Sequence, residues 1–401
     1  MGTVAFADAN YCPSLSSTIS SLQSMRLERD YSDEEAIEAT IRYFSEAKFA
    51  QLNDQDAQRY NFTEFFVPDY QQNTNLTYIG DRFELDRQLL IVNNAVNAWY
   101  TVDVDIKDME IDGDTAEVKF YETYRYARTN TPDITSAEGL SYKVELKKIN
   151  GAWLISDLIT NTSFDNLMRK EKLDVDSIVE DLEKVIDEPV VYEPAVQQAD
   201  EAEYSAQARS TVSYNTNRFV SYAQMFALNY NPNFFDYSSQ GLGDCQNFAS
   251  QCVWRALGGV NTVASIDAKQ QPMVDEPNSN DRDWFQMSIW NRDYYNHWAS
   301  VQSFASYISS ATSSDVGPYG VIRSGISYAK VGDIIQVGNS TEGGYYHSYV
   351  VVRVEGTAGS RTASDIWVCS HTNDYYNKSL SDVYNAQRNY YRTIQINGAR
   401  Y

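Results

Sequence analysis

Four cysteines and three histidines are the only thiols and imidazoles in this 401-residue sequence. The cysteines are Cys12, Cys245, Cys252 and Cys369; the histidines are His297, His347 and His371. None has C-x-x-C or H-x-x-x-H spacing, so the sequence predicts no metal site and no cofactor. The chemistry left to them is nucleophilic: a thiol, an imidazole to take its proton, and a third group to orient the imidazole.

Cys245 is the thiol best placed for that work. The stretch "GLGDCQNFASQCVWRALGG", Gly241 to Gly259, reads as a helix. Asp244 is a good N-cap residue, Cys245 takes the first helical position, and Gly258-Gly259 ends the run. Phe248, Ala249, Cys252, Val253, Ala256 and Leu257 recur with helical period and face a core. A thiol at a helix start meets the positive end of the macrodipole and unpaired N–H groups, which favour the thiolate. The Asp244 carboxylate opposes this if it approaches the sulfur and opposes it less if it caps the backbone. The competing reading is a plain apolar core cysteine. Cys252 lies seven residues on, roughly 10 Å along a helix, too far to bridge Cys245. Cys252 and Cys369 are expected to be free thiols in the core, with a Cys252–Cys369 or Cys12-containing disulfide as the alternative.

Two of the histidines sit on a hairpin. His347 opens the strand "HSYVVVRVEG" and His371 closes "SDIWVCSHT", with "EGTAGSR" between them. If the strands pair symmetrically about Gly359, positions 347 and 371 face each other with Cβ atoms about 5 Å apart. A slip of one residue would send them to opposite faces.

The blocks "GDCQNFASQCVWRALGG", "VGDIIQV", "HSYVVVRV" and "VCSHTNDYYNKSL" resemble a bacterial amidase domain family of the papain-like cysteine peptidase superfamily. Its relatives are the NlpC-type and CHAP cell-wall amidases. The resemblance covers roughly residues 207–401. It implies Cys245 as nucleophile, His347 as general base and His371 as the orienting group, with Asn373 and Asp374 as alternatives for that third place. Gln240 lies near the papain-type oxyanion position, but the spacing differs. N–H groups at the helix start are therefore expected to hold the oxyanion, with Asp244 and Gln246 as cap or oxyanion groups of that turn. The implied reaction is amide hydrolysis through a thioester, and in such relatives the substrate is often peptidoglycan. Tyr345, Tyr346, Trp290 and Trp298 are candidates to line a groove for peptide or sugar; ordinary aromatic core is the competing reading. A non-catalytic wall-binding module, or an acyl transferase or transpeptidase on the same dyad, are the alternatives.

The elements that would position these groups lie in an α+β chain. "SDEEAIEATIRYFSEAKFAQL" (32–52) has a cap, an acidic first turn and an apolar stripe through Ile37, Ile41 and Phe44. A second helix is expected over 81–100, with Leu85, Leu89, Val92, Ala95, Val96 and Trp99 on one face. From Thr101 the period changes to two, with turns at Asp112-Gly113-Asp114 and Asn150-Gly151. The closing "VELKKINGAWLISDL" resembles the last hairpin of the cone-shaped nuclear-transport-factor or SnoaL-like fold, which implies a curved antiparallel sheet with helices and an accessory role. The expected order is an N-terminal segment at 1–30, this α+β domain at 31–168, an acidic helix and linker at 169–205, and a papain-like α+β domain at 206–401. In the last, a helix over "NTNRFVSYAQMFALNY" precedes the cysteine helix, with Phe219, Tyr222, Met225, Phe226 and Leu228 apolar, and both pack on an antiparallel sheet.

Charge is lopsided. Residues 1–206 hold 18 Lys+Arg and 40 Asp+Glu; the rest hold 14 and 15, which together give the net charge of -23. So acidic a first half argues against nucleic acid and anionic lipid as its partners. No run of eighteen apolar residues predicts membrane insertion. Ala5-Phe6-Ala7 has the form of a signal-peptidase site. A secreted or wall-associated protein is expected, and the amidase resemblance implies peptidoglycan or peptide as its substrate.

Overall fold

The computed structural model describes residues 14–27, 31–54, 62–92, 95–160, 211–238, 242–259, 284, 297–312, 315, 317–338, 344–383 and 390–400. By contacts the chain divides into two units, Met1–Pro189 and Val190–Tyr401. Both are α+β with antiparallel strands. The expected acidic helix and linker lie outside the described residues.

The first unit carries helices α1 (Leu15–Leu27), α2 (Asp33–Asn53) and α3 (Thr74–Val92), then strands β1 (Asn97–Asp112), β2 (Thr115–Arg128), β3 (Thr131–Ile149) and β4 (Ala152–Thr160) in a meander. α2 starts where its sequence says: Ser32 Oγ accepts from the Glu35 N–H, and the Glu35 carboxylate accepts from the Ser32 N–H. Ile37, Ile41 and Phe44 are its buried stripe. The second helix departs from expectation. It ends at Val92, and Trp99 pairs with Ala127 in the β1–β2 ladder. The period-two alternation thus begins at Asn97, and a ladder against β2 outcompetes helical propagation through Val96 and Trp99. The β3–β4 turn holds Asn150 and Gly151 at φ 52° and 84°, the left-handed pair that a two-residue hairpin requires. Inside the unit, Lys48 is buried against the Glu122 carboxylate and 2.9 Å from the Tyr142 hydroxyl.

The second unit carries β5 (Thr211–Ser213), α4 (Thr216–Phe226), α5 (Cys245–Ala256), α6 (Val301–Ser310), β6 (Gly317–Ser324), β7 (Ile334–Gly338), β8 (Tyr345–Val354), β9 (Ile366–Ser370), β10 (Asp374–Ser379) and β11 (Tyr390–Arg400). The sheet runs β10-β9-β8-β7-β11, and β11 also pairs with β5 and β6. α4 and α5 pack together, and both pack on β8. One sheet face buries Ile335, Val337, Tyr349, Val351, Val368 and Tyr375 in an apolar cluster. The alternate residues Gln336 and Ser348 meet α5 through Gln246. α4 is shorter than its apolar pattern, and Met225 is 60% exposed rather than core.

Candidate active site

Cys245 is the first residue of α5, preceded by Asp244 in the N-cap position. Its thiol is buried, and the backbone amides of Ser348 on β8 and of Gln246 and Cys245 in its own first turn act on it to favour the thiolate. Burial outweighs them and pushes the thiol up to about 12; the Asp244 charge adds to the rise.

Asp244 does not cap the helix with its side chain. Oδ2 lies 2.7 Å from His371 Nδ1, and Oδ1 accepts from the Tyr237 N–H (3.0 Å) and Asn247 Nδ2 (2.8 Å). His371 Nε2 donates to the Phe226 carbonyl at 2.8 Å. With a carbonyl on one nitrogen and a carboxyl on the other, the ring keeps its hydrogen on Nε2 and shares a proton with Asp244, whose own carboxyl burial pushes up. Asp244 raises the His371 pKa against the burial that lowers it. Its faces pack on Phe248 and Tyr230, with ring centroids 4.0 and 4.2 Å away. Thr372 completes the clamp: its Oγ1 accepts from the Asp244 N–H at 2.6 Å, from a backbone with φ 77°. A positive φ is rare for a β-branched residue, so strain is stored at this joint.

The hairpin register differs from symmetry about Gly359. Val350 pairs with Cys369 and Val351 with Val368, one residue off, and the β8–β9 ladder has a bulge between Val351 and Arg353. β9 ends at Ser370. His347 and His371 are thus not side by side: His371 goes to Asp244 on the α5 face, and His347 turns to the other face against the Tyr349 ring, 4.4 Å between centroids. The bulge could not be read from the sequence, and one residue of slip reverses every side chain of a strand.

His347 follows directly on a second irregularity. Val337 pairs with His347 but Gly338 pairs with Tyr345, leaving Tyr346 as the extra residue. The His347 ring is buried, its Nε2 has no hydrogen-bond partner among the described residues, and burial lowers its pKa to about 3. The adjoining peptide is the one whose Ser348 N–H meets the Cys245 sulfur. A buried nitrogen without a partner costs free energy, so it asks for a reason.

The remaining expected residues are placed as follows. Gln246 is committed by its side chain: Oε1 accepts from Ser348 Oγ (2.7 Å) and Gln336 Nε2 (2.9 Å), and Nε2 bonds Ser250. Only its backbone N–H is available to an oxyanion. Asp374 accepts from the Tyr230 hydroxyl at 3.3 Å and adds its charge to the field that raises His371. Asn373 contributes its carbonyl to Ser370 Oγ. Trp298 is 2% exposed, with Nε1 on Asn247 Oδ1 at 2.6 Å, so it belongs to the core and not to a groove. Tyr345 and Tyr346 are half-buried, and Tyr345 lies under the Arg392 guanidinium at 4.0 Å. Gln240 and Trp290 lie outside the described residues. Cys252 and Cys369 are free and buried. Thr372, Asn247, Ser348 and Gln336 escaped the sequence reading; only the adjacency of Thr372 to His371 and of Asn247 to Cys245 hinted at them. Among the described residues, no three His, Cys, Asp or Glu side chains converge to hold a metal ion.

Residues 213–395 match the family model described as "Putative amidase domain". That match supports an amide-hydrolysing function for the second unit, and the amidase region spans every residue of the clamp around Cys245. No curated protein matches the chain, and no solved structure matches it.

Proposed function

We propose that the amidase region is a cysteine amidohydrolase of the papain-like kind, with Cys245 as nucleophile and His347 as base. One observation carries the reading: the Cys245 sulfur sits at a helix start, against the peptide that joins His347 to Ser348, and His347 alone of the two nearby imidazoles has a nitrogen to spare. His371 cannot serve as base, since both its nitrogens are engaged. It orients the Cys245 turn through Asp244 instead.

In this reading the buried pair rests as thiol and neutral imidazole. Proton transfer in this reading requires the His347 imidazole to leave the Tyr349 face and reach the sulfur. His347 takes the thiol proton and the thiolate attacks the amide carbonyl. The oxyanion rests on N–H groups of the first turn of α5. His347 then protonates the leaving amine, and water cleaves the thioester. We take the substrate to be a peptide or peptidoglycan amide met outside the cell. The half-buried Tyr345 and Tyr346 beside His347 suit such a ligand.

The test is mass spectrometry of purified peptidoglycan and of its peptide fragments after incubation with the protein. Hydrolysis products are expected from the wild type and none from Cys245→Ala. Cleavage that persists in Cys245→Ala would refute the cysteine mechanism. Adding an amine acceptor separates hydrolysis from transpeptidation, and binding of fragments without turnover would favour a wall-binding module.

A further inference from the structure

The second unit holds two adjoining hollows at the end of α5 opposite Cys245, roughly 15 Å along the helix by its rise per residue. One, of about 410 Å³, is lined by Val212, Tyr214, Asn217, Arg218, Leu257 and Gly258 among others. The other, of about 260 Å³, has Arg218, Tyr222, Met225 and Arg255 in its wall. Asn215, Asn217 and Arg218 belong to both, so the hollows are continuous.

Two guanidiniums thus share one hollow. Neither Arg218 nor Arg255 takes part in an ion pair with a described residue. Arg255 gives an N–H to the Gly259 carbonyl, which leaves the rest of its fork open. Burial, with the Arg218 charge behind it, holds Arg255 below the ordinary guanidinium range. Like charges placed together repel, and an anion between them turns that repulsion into attraction. The chain is acid-rich, with 55 Asp+Glu against 32 Lys+Arg, yet no described carboxylate answers these two arginines. The start of α4 is not the anchor, since the Asn215 side chain already accepts the Arg218 N–H. Met225, 60% exposed, and the Tyr222 ring supply an apolar wall beside the cations.

We propose that this hollow is a binding site for a compact oxyanion, a carboxylate or a phosphate, gripped between the side chains of Arg218 and Arg255. The site stands apart from the Cys245 chemistry and does not depend on it. The test is calorimetric titration of the full chain with sodium acetate and, separately, with inorganic phosphate. The same titrations are run on Arg218→Gln, Arg255→Gln and the double variant. Saturable one-to-one binding of at least one anion is expected, weakened at least tenfold in the double variant and reduced by added sodium chloride. Preference for acetate would identify a carboxylate site, and preference for phosphate a phosphoryl site. Each variant should melt with the wild type in the absence of anion, so that lost binding is not lost folding; the single variants keep the test open if the double one unfolds. The proposal is overturned if neither anion gives saturable heat, or if every folded variant binds as tightly as the wild type.

Discussion

At the scale of single residues, the two histidines near Cys245 carry opposite liabilities. His371 and Asp244 form a buried pair, their side chains 1 and 0% exposed, and Asp244 favours the protonated ring. Removing one partner of such a pair leaves a buried charge unanswered. Asp244→Asn is therefore expected to cost about 3–5 kcal/mol, read from chemical denaturation. The pH dependence follows from the raised pKa of His371. The folded state holds that proton more tightly than the unfolded chain does. Its contribution is complete below the ordinary imidazole pKa and is lost as pH rises through the raised folded value. Melting temperatures should fall across that alkaline window in the wild type and lose this component in His371→Gln. An identical pH profile in His371→Gln would dismiss the ion pair as its source. His347 is the reverse case, since its Nε2 is buried without a partner. His347→Phe should leave stability unchanged or raised, because it removes that unpaired nitrogen, while activity falls by at least about a hundredfold, the scale of a lost general base. A destabilised but active variant would contradict both the geometry and the role.

At the scale of elements, close backbone contacts and caps set the tolerances. A Cβ on Gly320 would lie 2.1 Å from the Gln395 carbonyl oxygen across the β6–β11 ladder. That neighbour is backbone and cannot swing away. Gly320→Ala should cost about 1–3 kcal/mol by forcing the strands apart, visible as a lowered melting temperature. Ser32→Ala removes one half of the capping box of α2 and should cost about 1 kcal/mol, measured the same way. The elements also show how much could be read in advance. The α2 cap, the Asn150-Gly151 turn and the cysteine helix are local patterns, and they stand where the sequence put them. The end of α3 and the β8–β9 register differ from the expectation, because both are settled by pairing with distant strands: Trp99 with Ala127, and Val350 with Cys369.

At the scale of the molecule, the two contact-defined units should unfold as separate cooperative transitions in scanning calorimetry. Gly320→Ala should lower only the transition of the second unit and Ser32→Ala only that of the first. A single transition shifted equally by both would show the units to be one cooperative body. The sequence by itself determined the α+β class, the helix that starts at Cys245 and the short roll of imidazoles, because each depends on local periodicity, spacing or residue type. It also singled out Cys245, by the chemistry of a helix start. Only the tertiary structure decided which imidazole does what. A one-residue shift in strand pairing sent His371 to Asp244 and left His347 on the Tyr349 face, where its Nε2 has no partner among the described residues. Register is fixed by long-range packing and hydrogen bonding between strands, and no stretch of sequence read alone contains it.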